Sequence, residues 1–399
     1  MNTIIMNEVK EIAKTLIPCR RHLHENPELG LECLNTRDYV AQKLTEMGYD
    51  VTHIGHAGLC TTIGNKKTPV FLLRADMDAL PIIENTNLEF KSKIDGRMHA
   101  CGHDMHTTML LGAAQYFKNH EDEINGTIKL MFQPGEETMQ GAKDMIEHGV
   151  LQNPTPDAGM MVHVMTGVPL DIGTLVFMPH GPCMASVDWF DIKIQGKGGH
   201  GSSPYLGMDP LLPATAILQT LQTIQSRELP PNALVSLTVG ALNGPQTSNV
   251  INDDVTLGGT IRTYNEKHRS FIKERIVEIA DHIAKAYRCT AEITFPVGAP
   301  YLKSSKVVSD CAYQALKPIV GDTGVIAPQR PEIPVMGSED FAYISHEIPV
   351  TSVMIVASDA RTENDYPLHH PSVTLDEDAI AYGILTYTQT ALNWLNNNA

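Results

Sequence analysis

The stretch PVFLLRAD, residues 69–76, decides the fold class of this chain. Its apolar residues run without the alternation of a half-exposed strand and are too few for a helix, so the stretch predicts a strand buried on both faces. Helix-period and strand-like segments alternate around it: a helix at 36–50, extended chain at 51–64, a helix at 106–120, a strand at 126–134, a short helix at 141–151 and a strand at 158–164. This rhythm predicts an α/β domain with a mostly parallel sheet flanked by helices.

The pattern changes near residue 184 and returns near residue 299. Between these points, four strand-like and two helical segments predict a small α+β module. We therefore expect a main domain formed by residues 1–183 and 299–399, with residues 184–298 inserted as a second domain.

Composition argues against several classes of protein. Of the 399 residues, 42% are hydrophobic and 19% are charged, as in a globular protein, and no run approaches the ~20 apolar residues of a membrane helix. The formal charge of −16 argues against nucleic-acid and anionic-membrane partners. Because the first residues lack the apolar core of a secretory signal and the seven cysteines are scattered, we expect a cytoplasmic protein.

Four motifs carry polar residues that a fold alone does not require: RADMDALP, MHACGHDMH, QPGEE and LHHP. Asp76, Asp78, Glu137 and His163 fall near the carboxyl ends of predicted strands, where open α/β sheets place their ligands. The aspartates could instead end a strand in solvent or cap a helix, and the two glutamates of QPGEE could form a solvated first helical turn. Gly135 disfavours the solvated turn, because it permits a tight turn that aims both acids at the sheet edge.

Cys101 and His103 alternate across one residue, so both side chains can face one point. As an isolated pair they could equally be a buried thiol beside a histidine that caps the next helix. A cysteine nucleophile with a histidine base is another alternative, although the two residues are poorly placed for it at this spacing. Thiolate, imidazole and carboxylate are the usual zinc ligands, so a metal site explains more residues than either alternative.

The motifs also occur in a family order. RRHLHENPELG, RADMDALP, MHACGHDMH, FQPGEE, GKGGHGSSP, SNVI, GTIRT, MGSEDFA and LHHP together resemble the signature of the dinuclear metal amidohydrolases, which include hippurate hydrolases, aminoacylases and auxin-conjugate hydrolases. The resemblance extends from about Arg20 to the last helix. It implies a catalytic domain interrupted by a lid domain through which two subunits form a homodimer, with a homotetramer as the alternative assembly.

The same resemblance implies a set of metal ligands. Two divalent ions per subunit would be held by Cys101 as the bridging thiolate, by His103 and His163 on one ion, and by Glu137 and His369 on the other. His370 is the alternative to His369. Zinc or manganese is the expected metal, with cobalt or nickel as alternatives, because this ligand set admits all four.

The resemblance further assigns roles in catalysis and binding. Glu136 would be the general base, and Asp78 would orient a metal-bound histidine or the metal site. His200 would reach the neighbouring subunit's site and help to hold the oxyanion, while Asn249 and Arg262 would grip the substrate carboxylate. Taken alone, His200 could be a surface-loop histidine and Arg262 an exposed salt-bridge partner. Three further residues get looser expectations: His106 as a neighbour of the ligands, and Glu339 and Asp340 at the rim of the site.

The expected reaction is hydrolysis of the amide bond of a small-molecule N-acyl-L-amino acid, which releases a carboxylic acid and a free amino acid. A dipeptidase, or a deacetylase of an N-acetylated intermediate such as N-acetyl-diaminopimelate, is the alternative on the same site. A noncatalytic binding protein on the same fold is the alternative of another class. The presence of all five ligands and of Glu136 disfavours the noncatalytic alternative.

Overall fold

The computed structural model describes residues 2–64, 68–244, 246–329, 331, 334, 336–362 and 365–398. Its α-helices are α1 (Asn2–Glu25), α2 (Leu34–Glu46), α3 (His103–Asn119), α4 (Gly141–Glu147), α5 (Leu211–Thr223), α6 (Glu266–Ala286), α7 (Lys306–Val320), α8 (Ala342–Glu347) and α9 (Ala379–Asn398). None of the helices in these ranges combines the length and the apolar composition needed to cross a membrane.

The strands of the same ranges vary from two to ten residues. They are β1 (Thr52–Ile54), β2 (Gly58–Gly64), β3 (Val70–Asp76), β4 (Thr127–Gln133), β5 (Ala158–Met165), β6 (Leu175–Phe177), β7 (Gly181–Met184), β8 (Ser186–Gln195), β9 (Gly199–His200), β10 (Val235–Asn243), β11 (Val250–Ile251), β12 (Asp254–Thr263), β13 (Thr290–Thr294), β14 (Gly298–Ala299), β15 (Leu302–Ser304), β16 (Val325–Ile326) and β17 (Val350–Val356).

The chain forms two compact units. The first unit comprises Met1–Cys183, Lys303–Glu332 and Asp340–Ala399, and the second comprises Met184–Leu302 and Ile333–Glu339. The second unit extends past residue 298, the expected end of the insertion, because β14 pairs with β8 of that unit. The segment Ile333–Glu339 was not expected in it.

The first unit is built on one eight-stranded sheet with the order β1-β2-β4-β3-β5-β17-β6-β16. The central strands β4, β3, β5 and β17 are parallel, whereas β1, β2 and β6 each pair antiparallel with a neighbour. Helices α3 and α9 pack against β3, and α7 and α9 pack against β17. The prediction of a mostly parallel sheet flanked by helices is confirmed.

Strand β3 is buried along its whole length, as the apolar run at 70–73 predicted, and β4 beside it is also buried along its whole length. Their parallel register aligns Asp76 with Gln133, and β3 also pairs in parallel with β5. The carboxyl ends of the three strands therefore meet at one edge of the sheet, and the chain segments that follow β3 and β4 start there.

The second unit has an antiparallel sheet of order β10-β12-β8-β13, with β14 added beside β8. From Phe190 to Gln195, buried and exposed residues alternate along β8, and its buried isoleucines pack with residues of α5 and α6 in one apolar core. The Asn265 side chain caps α6 by accepting hydrogen bonds from the backbone N–H groups of Lys267 at 2.8 Å and His268 at 3.3 Å. This is the inserted α+β module of four main strands and two helices that the sequence predicted.

Candidate metal centre

The candidate metal ligands of the first unit come from four places in the chain. Cys101 precedes α3, and His103 is its first residue. Glu137 lies in the turn after β4, His163 lies on β5, and His369 lies in the loop before α9. The five residues are thus separated in sequence and joined by the fold.

Two glycines shape the turns that carry these ligands. Gly102, between Cys101 and His103, has a φ of +85°, and a Cβ at this position would lie 2.4 Å from Val164 Cγ2. Gly135, at the start of the turn after β4, has a φ of +73°, and a Cβ there would lie 2.7 Å from Leu31 Cδ2. Both positions need a left-handed backbone and leave no room for a side chain.

The ligand atoms form two groups that share the sulfur of Cys101. In the first group, Cys101, His103 and His163 place their ligand atoms within 4.8 Å of one another. In the second group, Cys101, Glu137 and His369 do the same. The Cys101 sulfur lies 3.5 Å from His163 Nε2 and 3.3 Å from His369 Nε2, and His369 Nε2 lies 3.4 Å from Glu137 Oε1. This arrangement offers two cation positions with one common sulfur.

The donors at this centre fit a bound cation. Both ring nitrogens of His103 and Oε1 of Glu137 are buried and have no hydrogen-bond partner within the described part of the chain. Buried polar atoms are otherwise nearly always satisfied, so such atoms in a cluster point to a missing partner. Thiolate, imidazole and carboxylate are together a common zinc-type ligand set.

Several titratable groups of the centre have pKa values far from their ordinary ones. Burial raises the pKa of the Cys101 thiol well above its ordinary value and raises the pKa of the Glu137 carboxyl to about 7. Burial opposes a charge on His103, but the carboxylate of Asp76 and the sulfur of Cys101 together raise its pKa well above its ordinary value. A bound dication would reverse the first two shifts, because it stabilises the deprotonated thiol and carboxyl.

His163 is held in one tautomer. Its Nδ1 donates to the backbone carbonyl of Val164 at 2.6 Å, which leaves the lone pair on Nε2, the nitrogen that faces Cys101. Burial also keeps the pKa of this imidazole well below its usual range. A neutral imidazole with a free Nε2 lone pair is the form that binds a metal.

The two adjacent histidines of LHHP point to different surroundings. His369 has an unusual φ of +69°, its backbone N–H donates to the carbonyl of Ala100 at 2.8 Å, and its Nε2 faces Cys101. The His370 ring instead stacks on Tyr366 with 4.4 Å between centroids and 8° between planes. The geometry therefore favours His369 over His370 as the donor to the cluster.

Asp78 and Glu136 also lie at this centre. Asp78 Oδ1 accepts the backbone N–H of Glu136 at 3.0 Å, and Oδ2 accepts that of Glu137 at 3.1 Å. Asp78 Oδ1 also lies 3.4 Å from His103 Nδ1. Glu136 is 5% exposed, and its Oε2 lies 4.0 Å from His103 Nε2. Asp78 thus holds the glutamate turn and lies beside a candidate ligand.

A buried network next to the centre was missed in the sequence. Arg74 Nη1 donates to Asp76 Oδ2 at 2.5 Å, and Arg74 Nη2 donates to Asp340 Oδ1 at 3.1 Å. Asp340 also accepts from Gln133 Nε2 at 2.7 Å and from the backbone N–H of Ala142 at 2.8 Å. Asp340 is completely buried, so its expected place at the rim of the site is wrong. The repeated charges of RADMD were the only local signal.

The three predicted residues of the second unit lie on its strands or next to them. His200 is on β9, which pairs with β11 so that His200 faces Val250, the neighbour of Asn249. The His200 Nδ1 accepts from the Ser202 hydroxyl at 2.8 Å, and the Asn249 side chain accepts from Thr247 at 2.8 Å. Arg262 is half-buried on β12 and donates to the Ser338 hydroxyl at 2.6 Å. The fold brings His200 and Asn249 close together and gives Arg262 a separate partner.

Comparisons with known proteins agree with this centre. Residues 72–393 match the family model described as peptidase family M20/M25/M40. The chain is 36% identical to N-acetyl-L-cysteine deacetylase of Bacillus subtilis over 97% of this chain and 90% of the relative. It is 35% identical to hippurate hydrolase of Campylobacter jejuni over 98% of this chain and 99% of the relative.

A solved structure of the same kind is also similar. A Bacillus subtilis protein, described as a dinuclear metal binding peptidase from the M20 family, matches with a TM-score of 0.77 and 33% identity, covering 97% of this chain and 99% of the other. The relative's two metal ions agree with the two donor groups that share Cys101 in this chain.

Proposed function

Because the chain belongs to peptidase family M20/M25/M40 and is a metal-dependent amidohydrolase, we propose that it hydrolyses the amide bond of N-acyl-L-amino acids. The products would be a carboxylic acid and a free amino acid. The observation that carries this proposal is the pair of donor groups sharing Cys101, with the carboxylate of Glu136 beside them.

Five residues would hold the two divalent ions: Cys101 in both positions, His103 and His163 in one, and Glu137 and His369 in the other. When bound, such ions polarise the amide carbonyl and make a water molecule acidic enough to lose its proton near neutral pH. Zinc and manganese are the metals we favour, because both accept this mixed ligand set.

Glu136 would move the proton. Its carboxylate takes a proton from the attacking water and delivers it to the leaving amine nitrogen, so one group serves both halves of the reaction. Glu136 is buried among the donor groups, so bulk water has little access to its carboxylate. Asp78 fixes the backbone of Glu136 by accepting its N–H. Asp78 is therefore a positioning residue in this mechanism.

The second unit would bind the substrate. Arg262 would pair with the free carboxylate of the amino-acid part through its guanidinium fork, with Asn249 as a second hydrogen-bonding group. His200 would stabilise the oxyanion in the site of a second subunit, so the active form would be a homodimer joined through this unit. We place this enzyme in the cytoplasm, with small N-acyl amino acids as its partners and no nucleic acid.

Two kinds of acyl group are candidates within this chemistry, a small acetyl group and an aromatic benzoyl group. The similarity to an N-acetyl-L-cysteine deacetylase favours a small acyl group, whereas the similarity to a hippurate hydrolase favours a benzoyl group. Both substrates have a secondary amide bond and a free carboxylate, so the donor groups do not distinguish one from the other.

A hydrolysis screen tests the proposal. The purified protein is offered N-acetyl, N-benzoyl and indole-acetyl amino acids, together with simple dipeptides, before chelation, after chelation and with each metal restored. We expect release of the amino acid from at least one N-acyl series, loss of that activity on chelation and recovery with zinc or manganese. Hydrolysis of dipeptides alone would overturn the proposed substrate class, and activity that survives complete metal removal would overturn the mechanism.

A further inference from the structure

His106 lies one helical turn after His103 and uses both of its ring nitrogens. The backbone N–H of Val164 donates to His106 Nε2 at 2.8 Å, so Nε2 carries the lone pair. The proton is therefore on Nδ1, which donates to Asp76 Oδ1 at 2.6 Å. With both nitrogens engaged, His106 is not itself a metal ligand.

The bond to Val164 fills a gap in the sheet. The ladder between β3 and β5 ends at Arg74 and Met161, three residues before Val164. A buried backbone N–H beyond that point needs another acceptor, and His106 supplies it from α3. The amide in question joins His163 to Val164, so His106 holds the peptide bond of the candidate ligand itself.

The three imidazoles are packed together. The ring centroid of His106 lies 5.3 Å from that of His103 and 4.4 Å from that of His163, and the His103 and His163 centroids are 5.9 Å apart. His103 and His106 belong to α3, whereas His163 belongs to β5. His106 therefore ties the helix that carries one candidate ligand to the strand that carries the other.

The acceptor of the His106 proton is itself fixed. Asp76 is completely buried at the end of β3, and Arg74 holds its second oxygen at 2.5 Å. Arg74 is held in turn by Gln133 Oε1 at 2.9 Å and by Asp340. Neither Asp76 nor His106 can turn away without leaving a buried charge or a buried N–H unpaired.

We propose that His106 and Asp76 are positioning residues that set the spacing between His103 and His163, and thereby the affinity of the one ion that these two histidines share. The inference rests on the proposed function, because it takes His103 and His163 as ligands of one ion. It adds two residues that bind neither metal nor substrate. It also predicts that the two ions respond differently to the same substitution.

The test compares four single variants of the full chain with one double variant, His106→Leu in the His163→Ala background. His106→Leu removes both hydrogen bonds, whereas His106→Gln keeps an amide oxygen for Val164 and an amide N–H for Asp76. His163→Ala removes the candidate ligand itself. Leu395→Ala, in the buried core at the end of α9, serves as a control for general loss of stability. For each variant, the affinity for each Zn²⁺ is measured by competition with a chromophoric chelator, and stability is measured by urea unfolding.

We expect the wild type to bind two ions and His163→Ala to bind one. His106→Leu should lower the affinity for one ion by at least about tenfold, which is the usual size of effect when a partner of a metal ligand is removed. The affinity for the other ion should stay within about twofold of the wild-type value. His106→Gln should recover most of the lost affinity. In the His163→Ala background, where the affected ion is absent, His106→Leu should not change the affinity of the remaining ion.

Three results would overturn the inference. The first is that His106→Leu binds both ions with wild-type affinity while His163→Ala still loses an ion. The proposed ligand set would then stand, but His106 would have no positioning role. The second is that His106→Leu lowers the affinity for both ions equally, and that Leu395→Ala does the same at an equal loss of unfolding free energy. The third is an unchanged number of ions in His163→Ala, which would overturn the ligand set of the proposed function together with this inference.

Discussion

Asp78 fixes the backbone of Glu136, because its Oδ1 accepts the Glu136 N–H at 3.0 Å while its Oδ2 accepts the next N–H along the chain. Asp78→Asn should therefore displace Glu136, the proposed general base. We expect kcat to fall by roughly 10–100-fold with little change in KM, since outer partners of a metal site have effects of this size. Steady-state kinetics with an N-acyl amino acid would check this.

The matched control for Asp78 is Asp144→Asn. Asp144 also uses a carboxylate oxygen to accept a backbone N–H, that of His56 at 2.8 Å, but outside the centre. The two variants make the same chemical change. If both lower kcat equally, the effect of Asp78 is one of stability and not of positioning.

Glu136→Gln tests the proton transfer. The amide has the size of the carboxylate but cannot accept a proton, so we expect metal content to stay at two ions while kcat falls by about 10²–10⁴-fold. Metal analysis and turnover of the same preparation give both values. Retention of most of kcat with both metals bound would remove Glu136 from the role of base.

Arg262→Ala should raise KM for N-acyl amino acids. A hydrogen bond to a charged group contributes about 1.5–3 kcal/mol, which corresponds to roughly 10–100-fold in KM. Amides of the same acyl group without a carboxylate should be unaffected. Arg275→Ala is the control, because this arginine of the same unit pairs with Glu228, shortly after α5, and with Glu278 on α6. An equal loss on both substrate types would contradict the assignment.

The two histidines of LHHP can be separated by metal content. Because His369 Nε2 faces Cys101 and the His370 ring stacks on Tyr366, His369→Ala should lose one of two ions and His370→Ala should keep both. Elemental analysis after dialysis against metal-free buffer would show the difference. The opposite pattern would make His370 the ligand.

His120 should make stability depend on pH. Burial opposes its charge, but hydrogen bonds to Glu123, in the short turn after α3, and to Glu8 on α1 raise its pKa above the ordinary value. The stabilisation by the charged form is therefore complete below the unfolded pKa of about 6.5 and is lost as the pH rises through the higher folded value.

His120→Gln measures this contribution. We expect the variant to be less stable than wild type by about 0.2–1 kcal/mol at about pH 6 and equal to it near about pH 8.5, as measured by urea unfolding. A difference that stays constant over this pH range would exclude the ion pairs as its source.

The long elements of the fold could be predicted from sequence because their periods are local. The apolar run at 70–73 indicated the buried strand β3, and the helices expected at 36–50 and 106–120 are α2 and α3, whose ends lie within about four residues of the expected ones. Strands β6 and β16 have three and two residues, which is too short for any period to show. Their pairing with each other joins segments about 150 positions apart, and only tertiary packing sets it.

The motifs of the sequence named the candidate donors that the fold brings together, but they gave no sign of the network around them. Arg74 and Asp340 are 266 positions apart, so no spacing rule connects them. His106 was visible beside His103, yet its partner Val164 is an ordinary apolar residue that interacts through its backbone N–H. A hydrogen bond to a backbone group does not depend on which residue supplies that group. For this reason the sequence indicated the candidate donor side chains better than the hydrogen bonds that hold them in place.

Gly102 restricts how this gene can vary. Every substitution at a glycine adds a Cβ, and here that atom would meet Val164 and Leu375 while the backbone keeps a φ of +85°. The neighbouring Cys101 and His103 would shift with it. Gly102 should therefore be as invariant among descendants of this gene as the two candidate metal donors that flank it, although it supplies no side chain to the centre.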